Sequence, residues 1–71
     1  MNARQAMQIL RNHGFDETGQ VGSHRMFERS GVKVPVPIHG GRDIPARVVT
    51  SIRHSIQRAE AIEKEREERK K

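Results

Sequence analysis

In the run Val32-Lys33-Val34-Pro35-Val36-Pro37-Ile38, every second residue is apolar, and two of the intervening positions are proline. Period two is the spacing of a β-strand, in which alternate side chains share a face. Proline has no N–H to give a neighbour, so such a strand should lie at the edge of a sheet or pair through one side. Ser30-Gly31 precedes it and supplies a glycine for a tight turn with positive φ, and the strand-like run Ser23 to Arg29 comes before that turn. The two runs read as a β-hairpin.

With Ser30 and Gly31 as the turn, the register follows. Arg29 faces Val32, Glu28 faces Lys33, Phe27 faces Val34, Arg25 faces Val36 and His24 faces Pro37. Phe27 and Val34 then share the core face. His24 lies an odd number of residues from Phe27, so the pleat turns it to the open face with Met26, Glu28 and Lys33. A slip of one residue would reverse this. On the open face Glu28 and Lys33 are expected to form a cross-strand ion pair, which favours a structural role for Lys33. His39 continues that face diagonally from His24 and is a second candidate for handling a proton or touching a phosphate.

The remaining elements follow from caps and spacing. Residues 2–13 read as a helix, with Asn2 as cap, Gln5 completing a capping box, and Ala3, Ala6, Met7 and Leu10 as the apolar stripe. Gly14 suits the left-handed position after the last turn. Phe15 to Val21 is polar and interrupted by Gly19, as an edge strand would be. Gly40-Gly41 opens a turn, and Pro45 fits the first turn of a second helix whose apolar spacing is carried by Val48, Val49, Ile52, Ile56 and Ala59. Beyond Ala59 the stripe fades to Ile62 and the chain becomes almost wholly charged. We read residues 1–59 as one α+β domain of order α-β-β-β-α, with two helices on one face of a three-stranded antiparallel sheet. Residues 60–71 read as a charged helical extension or frayed tail, in which Glu60–Lys64, Glu65–Arg69 and Glu67–Lys71 have the orientation that supports an exposed helix.

At 71 residues and 32% hydrophobic content the core is small. The chain has no cysteine for a disulfide or thiolate site, and no signal-like or bilayer-length apolar run. The expectation is a soluble cytoplasmic protein without a membrane partner. The net charge of +5 belongs to residues 1–59, which hold nine Lys/Arg against four Asp/Glu, because residues 60–71 hold five of each. Eight of those nine are arginine, a residue suited to two-pronged recognition of phosphate. Nucleic acid is the leading partner. Phe15 and Phe27 are the only aromatics, too few for a base-stacking platform.

Several chemistries are excluded by what is missing. There is no GxxxxGK[ST] phosphate loop, and Asp16, Glu17, Glu28 and Asp43 are too scattered for a metal nuclease. His13, His24, His39 and His54 lack metal-ligand spacing, so neither a metal nor another cofactor is expected. His13 reads as a cation near a helix C-terminus, and His54 as a polar surface residue. Ser23 and His24 cannot form a dyad, since adjacent strand residues point to opposite faces. An exposed imidazole among cations does fit RNA cleavage, with His24 as the base that takes the proton of the ribose 2′-OH. A histidine in a strand is by itself more often a surface residue than a catalyst, and a non-catalytic RNA- or DNA-binding module is the alternative. An oligomerising interaction protein ranks last, because the tail lacks sustained heptads.

Three stretches carry a resemblance that spans the chain to about Ser55: Asn12-His13-Gly14-Phe15; Gly22-Ser23-His24 followed by Phe27; and Val36-Pro37-Ile38-His39 with Arg42-Asp43-Ile44-Pro45. In that order they resemble the HicA family of bacterial toxins. The resemblance implies a double-stranded-RNA-binding-domain-like fold, metal-independent cleavage of mRNA, growth arrest, and neutralisation by a HicB-type antitoxin that covers the active histidine. By match of motif, His24 takes the catalytic role, while Gly22 and Ser23 shape the turn that presents it. Ser23, Arg25, Lys33, His39 and Arg42 are the candidate RNA contacts. Arg25 stands where many members carry a second histidine, and the charged extension goes beyond the family's usual end.

Overall fold

The computed structural model describes residues 1–38, Gly40 and residues 42–70. The elements follow the order α1 (Ala3–Asn12), β1 (Asp16–Val21), β2 (His24–Arg29), β3 (Val32–Pro37) and α2 (Ala46–Arg69). The three strands form one antiparallel sheet in the order β1-β2-β3, with β2 in the centre. This is the expected α-β-β-β-α architecture.

The caps explain the limits of α1. The Asn2 side chain accepts from the Gln5 N–H at 2.8 Å and the Gln5 side chain accepts from the Asn2 N–H at 2.9 Å, the reciprocal capping box. At the other end the N–H of Gly14 donates to the Arg11 carbonyl and that of Phe15 to the Leu10 carbonyl. These are the two bonds of a Schellman motif, and Gly14 occupies its left-handed position with φ +80°. The motif turns Phe15 inward, where it is 2% exposed.

The β2–β3 register is the expected one at all five pairs, from Arg29↔Val32 to His24↔Pro37. Ser30 and Gly31 both have positive φ, 51° and 81°, the signature of a type I′ turn whose twist matches the strands it joins. The strand limits differ slightly from expectation. β2 begins at His24 because Ser23 is the second residue of the preceding turn, and β3 ends at Pro37. Pairing nonetheless extends one bond further, from the Ile38 N–H to the Ser23 carbonyl at 2.8 Å.

That bond also fixes which way the backbone of β3 points. In an antiparallel ladder, hydrogen-bonded and non-hydrogen-bonded pairs alternate. With Ile38 and Ser23 bonded, His24↔Pro37 and Met26↔Pro35 are non-hydrogen-bonded pairs. The ring nitrogens that lack hydrogens thus face outward, so the prolines cost the sheet no ladder bond and leave its edge poor in donors.

Ala6, Leu10, Phe15, Phe27, Val32, Val34, Val36, Ile44, Ile52, Ile56 and Ala59 form a single buried cluster between the helices and one sheet face. Phe27, Leu10 and Val36 are fully enclosed. Ile44 is held by a short bridge in which its N–H donates to the Met1 carbonyl at 2.8 Å. β1 is exposed throughout and carries a bulge between Glu17 and Gly19. Pro45 is the N-cap of α2 with φ −59°, one position ahead of its expected place inside the first turn.

α2 runs unbroken through the charged region to Arg69. Ile62 packs against the core, and Glu63 reaches back to the β2–β3 turn. Of the three expected pairs along this helix, Glu65–Arg69 forms at 2.8 Å. Glu60 lies instead 3.5 Å from His13 Nδ1, and Glu67–Lys71 falls outside the described residues. Glu28 and Lys33 stand opposite one another but form no ion pair. A solvated cross-strand pair gains too little to hold two side chains together. Among the described residues no helix is long and apolar enough to cross a membrane.

Candidate active site

His24 is positioned by the turn before it. Gly22 has φ +59° and Ser23 does not have positive φ, the pattern of a type II′ turn, which calls for glycine in its first central position. The Gln20 side chain ties the turn by donating to the Gly22 carbonyl at 3.0 Å. His24 is therefore the first residue of the central strand, paired with Val21 on one side and Pro37 on the other. Its side chain is exposed on the open face.

In a non-hydrogen-bonded pair the two side chains approach closely, so the imidazole lies beside the Pro37 ring. Pro37 is buried although the register puts it on the open face, and both residues line a groove that runs around the free edge of β3 to α2. The groove measures about 330 Å³. Its apolar wall is Val34, Pro35, Pro37, Val48 and Ile52, and its polar groups are His24, Arg47 and Ser51. No carboxylate lines it.

The other candidate residues are dispersed. Ser23 adjoins His24 in the turn, and its carbonyl is used by Ile38. Arg25 is on the helix-facing side of the sheet, with Nη1 3.5 Å from Glu17, a carboxylate that also accepts from Arg11 at 3.0 Å. Lys33 is four positions along β3 from Pro37, roughly 13 Å from it at strand rise. Arg42 is exposed in the segment between β3 and α2. His39 lies outside the described residues.

The electrostatics sort the eight arginines of residues 1–59 into two groups. Arg29 gives Nε and Nη2 to the Glu63 carboxylate at 2.6 and 2.7 Å, and Nη1 to the His13 carbonyl at 2.6 Å. The two bonds from Arg29 to Glu63, with that from the Ser30 hydroxyl, hold the Glu63 carboxyl down at about 2, and the bond to Glu63 raises the Arg29 guanidinium. Arg11, Arg25 and Arg29 are thus engaged within the fold. Arg4, Arg42, Arg47, Arg53 and Arg58 have no acidic partner within 4 Å among the described residues. No three His, Asp or Glu side chains among the described residues gather where a metal ion could be held.

Arg47 and Ser51 are the groove residues that strand register could not reveal. Their spacing of four puts them on one helix face beside the inward Val48 and Ile52. The tilt that brings this face to the β3 edge depends on tertiary packing.

The family model described as the HicA toxin of bacterial toxin–antitoxin systems matches residues 3–60. That span covers both helices' buried segments and the whole sheet, including the Gly22-Ser23-His24 turn. No curated protein and no solved structure matches the chain significantly.

Proposed function

The chain belongs to the HicA toxin family of bacterial toxin–antitoxin systems, and from that premise we propose that it is a metal-independent endoribonuclease that cleaves mRNA through His24. As a toxin of such a system it has a cognate antitoxin, which we take to be of the HicB type and to cover His24. The observation that carries this reading is the exposed imidazole in a groove with a guanidinium and without a carboxylate.

In the proposed reaction His24 takes the proton of a ribose 2′-OH. The 2′ oxygen forms a bond to the adjacent phosphorus as the bond from phosphorus to the 5′ oxygen breaks. The leaving oxygen receives a proton, returned by the His24 imidazolium through water or given by His39. The products are a 2′,3′-cyclic phosphate and a free 5′-hydroxyl, and no other reactant is needed. Base assistance of this kind contributes about 10²–10⁴ in rate. DNA has no 2′-OH and is spared.

The test is incubation of purified protein with single-stranded RNA in EDTA, beside His24→Ala. The expected result is cleavage by the wild type, cyclic phosphate termini, and loss of at least about 10²-fold in the variant. Equal cleavage by both proteins, or by neither, rules out His24 as the catalyst. Arg42, Arg47 and Arg58, which have no acidic partner among the described residues, also suit a module that binds RNA without cutting it; binding without cleavage would select that reading.

A further inference from the structure

The free edge of β3 has an asymmetric chemistry. Pro35 and Pro37 present outward carbonyls and no outward N–H, so this wall of the groove accepts hydrogen bonds and donates none. An anion entering the groove must be held from the opposite wall. There, Arg47 stands in the first turn of α2 with Ser51 one turn later, and Arg47 has no acidic partner among the described residues. The cations suggested by sequence proximity do not fill this role in the same way. Arg25 is turned to the other face and engaged with Glu17, and Lys33 is at the far end of the strand.

The groove is also small. Its volume of about 330 Å³ is at the lower end of the 300–1,000 Å³ range of pockets for small organic ligands. It is walled by sheet edge and helix together, and most of its lining is apolar. A base in a duplex is stacked and paired, and enters such a space only after leaving the stack. An unpaired nucleotide meets these conditions: an anionic phosphate for Arg47, the flat face of a base for Pro35, Val48 and Ile52, and N–H donors on the edge of that base for the outward carbonyls.

We propose that this groove seats one unpaired nucleotide of the RNA, with Arg47 holding the phosphate beside His24 and Ser51 bounding the pocket. The inference rests on the reading of the chain as a ribonuclease and adds to it a strand requirement and a second group at the phosphorus. Arg47 is then the donor aimed at the charge that builds on the phosphoryl oxygens. The loss of such a donor typically costs about 10²–10³ in rate.

The experiment pairs cleavage kinetics with amide-resolved NMR of the full chain. A short single-stranded 2′-O-methyl oligonucleotide, whose capped 2′ oxygen cannot attack, is titrated into the labelled protein. The expected result is shifts at the amides of Val48, Ser51 and Ile52, abolished by Arg47→Gln. Cleavage of single-stranded RNA should fall about 10²-fold in Arg47→Gln and recover in part in Arg47→Lys. Ser51→Trp, which fills the groove, should block both binding and cleavage with thermal unfolding unchanged. Arg53→Gln removes the same charge from the opposite flank of α2 and should alter neither.

Wild-type cleavage by Arg47→Gln, or shifts confined to other surfaces, overturns the proposal while leaving the His24 reading intact. Equal affinity for a duplex and for the single strand overturns the unpaired seat. Shifts in the groove that depend on Arg47, in a protein that does not cleave, uphold the seat and refute the nuclease.

Discussion

Glu63 accepts from Arg29 and from the Ser30 hydroxyl, which joins the last third of α2 to the turn between β2 and β3. Its carboxyl titrates near 2 in the fold and near 4.5 when unfolded. A depressed carboxylate contributes stability that is complete above the unfolded value and is lost as pH falls toward the folded one. Glu63→Gln should therefore lower the midpoint of thermal unfolding at pH 7. The gap to the wild type should close between about pH 4.5 and pH 2, as the wild-type carboxyl becomes neutral too. A gap independent of pH would show that the clamp acts by packing and not by charge. Gly22 offers a second test at a single residue. With φ +59° and open space where a Cβ would stand, Gly22→Ala pays in backbone conformation alone. That strain is roughly 1–2 kcal/mol, and at about 4–8 °C per kcal/mol for a domain of this size it should lower the melting temperature measurably. Because the strain falls at the turn that aims His24, cleavage should fall as well.

Among the elements, β3 was the most legible in advance. A two-residue turn leaves one register, and strict alternation assigns each side to a face, so the pairs from Arg29↔Val32 to His24↔Pro37 could be written from the sequence. The capping box and Gly14 likewise marked both ends of α1, since each is a local signal. Long-range geometry was not legible. Arg29 and Glu63 are 34 residues apart, and nothing local joins them. Arg47 meets the β3 edge only through the angle at which α2 crosses the sheet, and the bulge in β1 has no signal stronger than Gly19. The outward prolines carry a prediction of their own. Pro35→Val restores an N–H to the free edge and creates a template on which a second chain can pair. Light scattering after size exclusion should show association that rises with concentration, absent in the wild type. A monomeric variant would mean that the edge is protected by something other than its prolines. The charged end of α2 has a parallel test. Truncation after Ala59 removes half-buried Ile62 together with Glu63, and half of an Ile side chain's burial is worth about 1 kcal/mol. The melting temperature should drop by about 4–8 °C or more, with cleavage retained at temperatures where the shortened chain is folded. Loss of cleavage by a folded truncate would give residues 60–71 a part in the reaction.

For the molecule as a whole, the useful charge is smaller and more localised than the net +5 suggests. Three arginines serve the fold through Glu17 and Glu63, and the five in residues 1–59 that have no acidic partner among the described residues are distributed over both helices and the segment before α2. On α2 they divide by flank. Arg58 follows Ser51 by seven residues, two helical turns, and so continues the groove side. Arg53 lines a different cleft, with Ile9, His13 and Glu60 between the helices. A single strand leaving the groove along α2 would meet Arg58 about 16 Å from Arg47, at 1.5 Å per residue. Each phosphate neutralised on a single strand contributes about −0.7 to the slope of log affinity against log salt. Arg58→Gln should therefore make the slope shallower by about 0.7 for an uncleavable strand long enough to span both sites. Arg53→Gln, with the same change in net charge, should leave it unaltered. Equal changes in both variants would mean that RNA responds to total charge, and that the flank of α2 does not direct the strand.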